Sequence, residues 1–170
     1  AAGIDLSQYE KSETEKTPVP PVINPSFEEG AKGWKLKGKA KVERGFGTVA
    51  SGGLLLERSN PEEYQLSSQS LRLKPGRIYN FSIMIRSEDV KGGTFAVEFS
   101  DKNGKWIRGG AHPNGLRGTA DWTRIEINHL KVPENTEKTG ITLYLGKGCT
   151  GKVYYDDLTV TPADMKWTVY

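Results

Sequence analysis

The side chains able to carry covalent or acid–base chemistry are few and scattered. Histidine occurs twice, as His112 and His129, in different segments and with no serine or cysteine motif beside either. Nucleophilic catalysis needs such a group within hydrogen-bond reach of a base, so that class finds no support. Cys149 is the single cysteine, which excludes a disulfide framework and a cysteine-based zinc site. Glycoside hydrolysis needs two carboxylates about 5–10 Å apart across a sugar. Glu98 with Asp101 or Glu126 is the pairing to consider, but a chain with 21 acidic residues offers many such pairs. What remains are groups suited to recognition: aromatic rings, guanidinium groups and carboxylates on extended segments. The expectation is binding without chemistry.

The elements that must position these groups follow from composition and alternation. A chain of 170 residues is long enough for one domain with a sizeable core. Its 20 Gly and 9 Pro, set among Val, Ile, Thr and Tyr clusters, predict short strands joined by many turns. No run approaches the roughly 18 apolar residues of a membrane helix, so membrane insertion is not expected. Net charge is only +3 and no nucleic-acid motif is present, so a nucleic-acid partner is not expected either. Residues 1–21 hold four acids (Asp5, Glu10, Glu13, Glu15) against two lysines, which leaves that segment at −2 and the remainder at +5. With Pro18, Pro20 and Pro21 it reads as a linker or extended arm. The missing initiator Met and apolar leader read as a mature fragment.

From Trp34 to Val42, Trp34, Leu36, Ala40 and Val42 alternate with Lys35, Lys37, Lys39 and Lys41. This predicts one half-buried strand with a lysine comb outside. The comb is either a solvated, aggregation-protected edge or a strip for an acidic polymer. Tyr79, Phe81, Ile83 and Ile85 form one face of the next clear strand, with Asn80, Ser82, Met84 and Arg86 on the other. Phe95, Val97 and Phe99 repeat the scheme, with Glu98 outward. Turns are predicted at Lys74-Pro75-Gly76-Arg77 and at Asp101-Lys102-Asn103-Gly104. Gly109 to Ala120 reads as a flexible loop. In the closing stretch Tyr154, Asp156, Leu158 and Val160 share one face, apolar except for a carboxylate that must be paired. Roughly ten short strands without helical periodicity predict an all-β, two-sheet antiparallel sandwich. Residues 163–170 read as a tail or the start of a following domain.

Several segments can be matched together and in order. They are Asn24-Pro25-Ser26-Phe27-Glu28 with Gly33-Trp34, Lys74-Pro75-Gly76-Arg77-Ile78-Tyr79, Gly118-Thr119 with Asp121-Trp122, and Val153-Tyr154-Tyr155-Asp156-Asp157-Leu158. Over residues 22–162 this set resembles the jelly-roll carbohydrate-binding modules of galactose-binding-like fold, as in families four, nine, sixteen and twenty-two. The resemblance implies a non-catalytic, monomeric module that binds a polysaccharide or oligosaccharide. It also implies a covalently linked glycoside hydrolase or polysaccharide lyase, and a secreted or cell-surface location in a bacterium. It implies a structural calcium ion between the opening segment and the closing strand. Glu28 and Asp156 would be its carboxylate ligands, with Ser26 and Gly52 or Gly53 supplying backbone oxygens, and Asp157 turned away by alternation. One sheet of such a sandwich is concave. Trp106 and Tyr144 are then the expected stacking platforms, with Met84, Arg86, Glu98, Arg108 and His112 as further sugar contacts. Trp34 and Trp122 are expected to pack. The rival reading is a protein-interaction or adhesion sandwich of a cell-surface protein, which would show a larger apolar patch and no groove.

Overall fold

The computed structural model describes residues 22–58, 65–145 and 148–163. The N-terminal arm, the Asn60-Pro61 turn with Tyr64, and the tail after Ala163 lie outside the described residues. Nine strands form: β1 (Lys35–Lys37), β2 (Lys41–Arg44), β3 (Gly52–Arg58), β4 (Gln65–Leu71), β5 (Ile78–Ser100), β6 (Trp106–Ala111), β7 (Leu116–Lys131), β8 (Lys138–Leu145) and β9 (Thr150–Pro162). The described residues contain one short 3-10 turn, Thr48–Ala50. All pairings are antiparallel. A front sheet runs β1-β4-β8-β5-β6 and a back sheet β2-β3-β9-β5-β7.

Strand β5 belongs to both sheets. Its first half pairs with β7 and β9 at the back, and Thr94 to Ser100 pair with β8 at the front. The crossing falls at Asp89 and Gly92, whose φ angles of 47° and 93° turn the chain in a region most residues avoid. Two side chains that both point away from the core on β5 therefore face opposite sides of the molecule if they flank this bend.

The core between the sheets is built from the expected alternations. Tyr79, Phe81, Ile83, Ile85, Phe95, Val97, Phe99 and Leu143 are at most 1% exposed, and Phe27, Leu56 and Leu158 are also buried. Each such side chain contributes about 1.5–3 kcal/mol of burial free energy. Tyr155 crosses from the back sheet to donate its hydroxyl to the Thr94 carbonyl of the front sheet at 2.7 Å. Burial pushes its phenol well above the ordinary range. Trp34 packs as expected, 4.9 Å from Phe27 between ring centroids, with Nε1 donating to the Asn24 carbonyl.

Three expectations are corrected. The strand expected from Trp34 to Val42 is two short strands in different sheets, so Leu36 on the edge strand β1 is 38% exposed. Ile125, expected in the core with the other apolar strand residues, is only half-buried on the outer strand β7. Most of the glycine-rich stretch 109–120 is strand, because β7 follows β5 through its bend with Gly118 opposite Val90 and Arg117 opposite Lys91. The glycines permit the register shifts that this pairing contains.

The closing strand also departs from simple alternation. Val153 and Tyr155 face the core, so Tyr154 and Asp156 lie on the outer side of the back sheet. Ser82 pairs with Thr159 but Met84 with Asp156, which leaves one extra residue on β9. Asp157, at φ 51°, occupies this bulge and resets the phase so that Leu158 returns to the core.

Candidate functional site

The front sheet turns a trough to the outside. Its register aligns Leu66, Tyr144 and Thr94 in one row, Ser68, Thr142 and Ala96 in the next, and Ser70, Gly140 and Glu98 in a third. Small side chains at Ala96 and Gly140 lower the centre, while Tyr144 and Trp106 stand toward opposite ends. Two cavities result. One of about 370 Å³ is lined by Leu66, Ala96, Glu98, His112, Thr142 and Tyr144. The other, about 270 Å³, is lined by Ser70, Glu98, Phe99, Ser100, Gly104, Trp106, Lys138 and Gly140. They meet at Glu98, so the trough is continuous along β8.

The chemistry of the trough is that of polyhydroxyl recognition. Trp106 is 60% exposed on the hairpin return, opposite Ser100. The Asp101–Gly104 turn that places it is closed by Asp101 Oδ1 accepting the Asn103 and Lys105 amides at 2.9 Å each. Tyr144 offers a second ring at the other end. Between them Glu98 Oε1 lies 3.2 Å from His112 Nε2. Carboxylate, imidazole and hydroxyl groups supply the acceptors and donors that hydroxyls require, and ring faces suit pyranose C–H surfaces.

Of the residues expected to contact sugar, Trp106, Tyr144, Glu98 and His112 therefore line one trough, and Arg108 stands exposed on the strand that carries Trp106. Met84 and Arg86 do not join them. They sit on the first half of β5, opposite Asp156 and Tyr154 on the outer face of the back sheet. The bend at Asp89 and Gly92 separates the groups. The Arg86 guanidinium lies 3.9 Å over the Tyr154 ring, 6.0 Å from the half-buried Trp122 ring, and 2.9 Å from Glu88. Its charge is thereby engaged in cation–π and ionic contacts. Trough residues not anticipated include Leu66, Ser70, Ala96, Lys138 and Gly140. Continuing the alternation of Thr142 and Tyr144 back along β8 would have marked Gly140 and Lys138.

A second polar cluster joins the two ends of the domain. Asp156 is 0% exposed. Its Oδ2 accepts the Thr48 amide at 2.9 Å, the Thr48 hydroxyl at 3.0 Å and the Ser51 hydroxyl at 3.2 Å, and its Oδ1 accepts the Asp157 amide at 2.8 Å. Asp157 accepts the Ser26 hydroxyl at 2.9 Å and reaches the same Thr48 hydroxyl at 3.2 Å. The bulge thus turns Asp157 into the cluster, contrary to the expectation from alternation. One hydroxyl proton serves only one of the two carboxylates, and neither forms an ion pair among the described residues. Burial pushes the Asp156 carboxyl up.

A Cβ on Gly47 would lie 2.0 Å from the Gly52 carbonyl oxygen and 2.6 Å from Asp156 Oδ2, so only glycine fits where the chain passes these two oxygens. This all-oxygen donor set fits a hard cation such as Ca²⁺. Glu28 accepts the Gly52 amide at 2.8 Å beside it, although among the described residues no three acidic, histidine or cysteine side chains converge as a metal cluster.

No family profile matches the chain, and no curated protein does. Solved structures match with high probability. The enzymatically active domain of bacteriophage CBA120 tailspike protein 4 superposes with TM-score 0.68 at 14% identity, covering 84% of this chain and 21% of that one. The module TmCBM61, in complex with β-1,4-galactotriose, gives TM-score 0.55 at 20% identity, covering 83% of this chain and 97% of that one. The family-22 module joined to the family-10 xylanase module of Clostridium thermocellum Xyn10B, complexed with xylohexaose, gives 0.59 at 18%, covering 82% and 28%. The chain thus spans about a fifth of the tailspike domain and about a quarter of the two-module xylanase fragment. At these identities the likeness is one of fold: the jelly roll of carbohydrate-binding modules.

Proposed function

We propose that this chain is a non-catalytic carbohydrate-binding module whose front-sheet trough takes a stretch of polysaccharide. In the complete protein it holds an attached polysaccharide-degrading enzyme on its substrate outside the cell. One observation carries the reading: an open trough floored by Ala96 and Gly140, flanked by Tyr144 and Trp106, with Glu98 and His112 between. Fold relatives solved with galactotriose and xylohexaose support the ligand class, and the fusion to a xylanase module supports the attachment. Among the described residues the exposed large apolar side chains, Ile23, Leu36, Val49 and Trp106, lie in different segments and form no single patch of the kind the adhesion reading needs. A structural Ca²⁺ held by Asp156, Asp157 and the neighbouring hydroxyl and Gly52 carbonyl oxygens belongs to the same proposal. When bound it neutralises the paired carboxylates and ties the opening segment to β9.

Affinity gel electrophoresis of the 170-residue chain through a panel of soluble polysaccharides tests the reading. Retardation by at least one glycan, with no release of reducing ends, is expected. Absence of retardation across the panel contradicts it.

A further inference from the structure

We propose that the glycan in this trough carries anionic groups, carboxylate or sulfate, engaged by Lys35, Lys37, Arg108 and Lys138. The inference rests on the trough being a glycan site and names the class of glycan.

The observation is where the lysines stand once the register is known. Lys35 lies directly opposite Ser68 and Lys37 opposite Leu66, both on the outward side of β4. These in turn face Thr142 and Tyr144 of the trough floor. The lysine comb is therefore divided. Lys41 goes with β2 to the back sheet, Lys39 lies in the turn between β1 and β2, and Lys35 and Lys37 stand on β1 at the edge of the front sheet. Lys138 lines the far cavity opposite Ser100, and Arg108 is exposed on β6, across the front sheet from β1. Against these four cations the floor presents one carboxylate, Glu98, already in contact with His112.

Edge protection explains lysines on the outer strand β1. It does not explain Lys138, which sits on β8 between β4 and β5. None of Lys35, Arg108 and Lys138 forms an ion pair among the described residues. Cations on both walls of a trough, with rings at its ends, suit a chain with anions projecting to either side. A neutral chain would leave Lys35, Arg108 and Lys138 unmatched.

The test is affinity electrophoresis and titration calorimetry of the full chain with polygalacturonate, a sulfated galactan, its desulfated form, neutral xylan and, as a plain polyanion, duplex DNA, at low and high salt. The probes are Lys35→Glu with Lys138→Glu, and a control of equal charge change on the back sheet, Lys41→Glu with Lys131→Glu. Melting curves verify folding of both. The expected result is preference for a uronate-bearing or a sulfated chain over neutral chains, weakened by salt. The trough variant should lose about tenfold in affinity, the scale of two surface charge pairs made repulsive, while the control retains affinity. Equal or better binding of neutral chains overturns the inference and leaves the glycan site standing. Failure to bind any of these glycans overturns both. Equal losses in the two variants, or retention on DNA matching that on acidic glycans, shows a net-charge effect and overturns the inference.

Discussion

Trp106→Ala is the perturbation that most cleanly separates a stacking platform from an exposed ring. Trp106 leaves 60% of its surface open on the rim of the trough. A sugar covering one face of the ring would remove about 80 Å² of a side chain that can bury up to about 250 Å². At about 25 cal/mol per Å² that is worth about 2 kcal/mol, or about thirtyfold in Kd. Because the ring makes little use of the core, truncation should leave the melting temperature within about 2 °C of the parent. Titration calorimetry against the glycan selected by gel retardation reads the affinity. A Kd within twofold of the parent, for Trp106→Ala and Tyr144→Ala alike and with folding intact, refutes the reasoning and moves the site to the loop ends of the sandwich.

Three further outcomes follow from the geometry. Arg86→Ala should leave glycan affinity unchanged and cost about 1 kcal/mol of stability, since Arg86 serves Tyr154 and Glu88 at the back; calorimetry with a urea melt checks both. Removing Ca²⁺ with chelator should lower the melting temperature by about 5–10 °C if the free ion had stood near a hundred times its Kd, and Asp156→Asn should abolish that response in differential scanning. Tyr155→Phe should destabilise by about 1–3 kcal/mol in chemical denaturation, because the Thr94 carbonyl loses its buried donor between the sheets.

The sandwich was legible because burial on one face enforces a period of two, as in Tyr79-Phe81-Ile83-Ile85 and Phe95-Val97-Phe99. The trough was legible only in part. Trp106, Tyr144, Glu98 and His112 come together, yet Arg86 and Glu98 face opposite sides of the molecule. Alternation tells a side chain's relation to the core, not which sheet the strand occupies. The bend within β5 is marked only by Asp89 and the Gly92-Gly93 pair, a weak signal against 23 residues of continuous strand. The bulge at Asp157 was hidden for a similar reason. One extra residue reverses every later assignment, and an aspartate at positive φ leaves little local trace. Lys138 and the lysines of β1 acquired meaning only through register, which no single strand reveals.

The most direct measurement of the central claim is amide chemical-shift mapping of the 170-residue chain titrated with the retained oligosaccharide. Shifts are expected to saturate along the front sheet, at Ala96, Glu98, His112, Thr142 and Tyr144, with the Trp106 indole moving and Arg86, Trp122 and Tyr154 at the back unmoved. Shifts confined to the back sheet or to the loops, or none at saturating sugar, would contradict it.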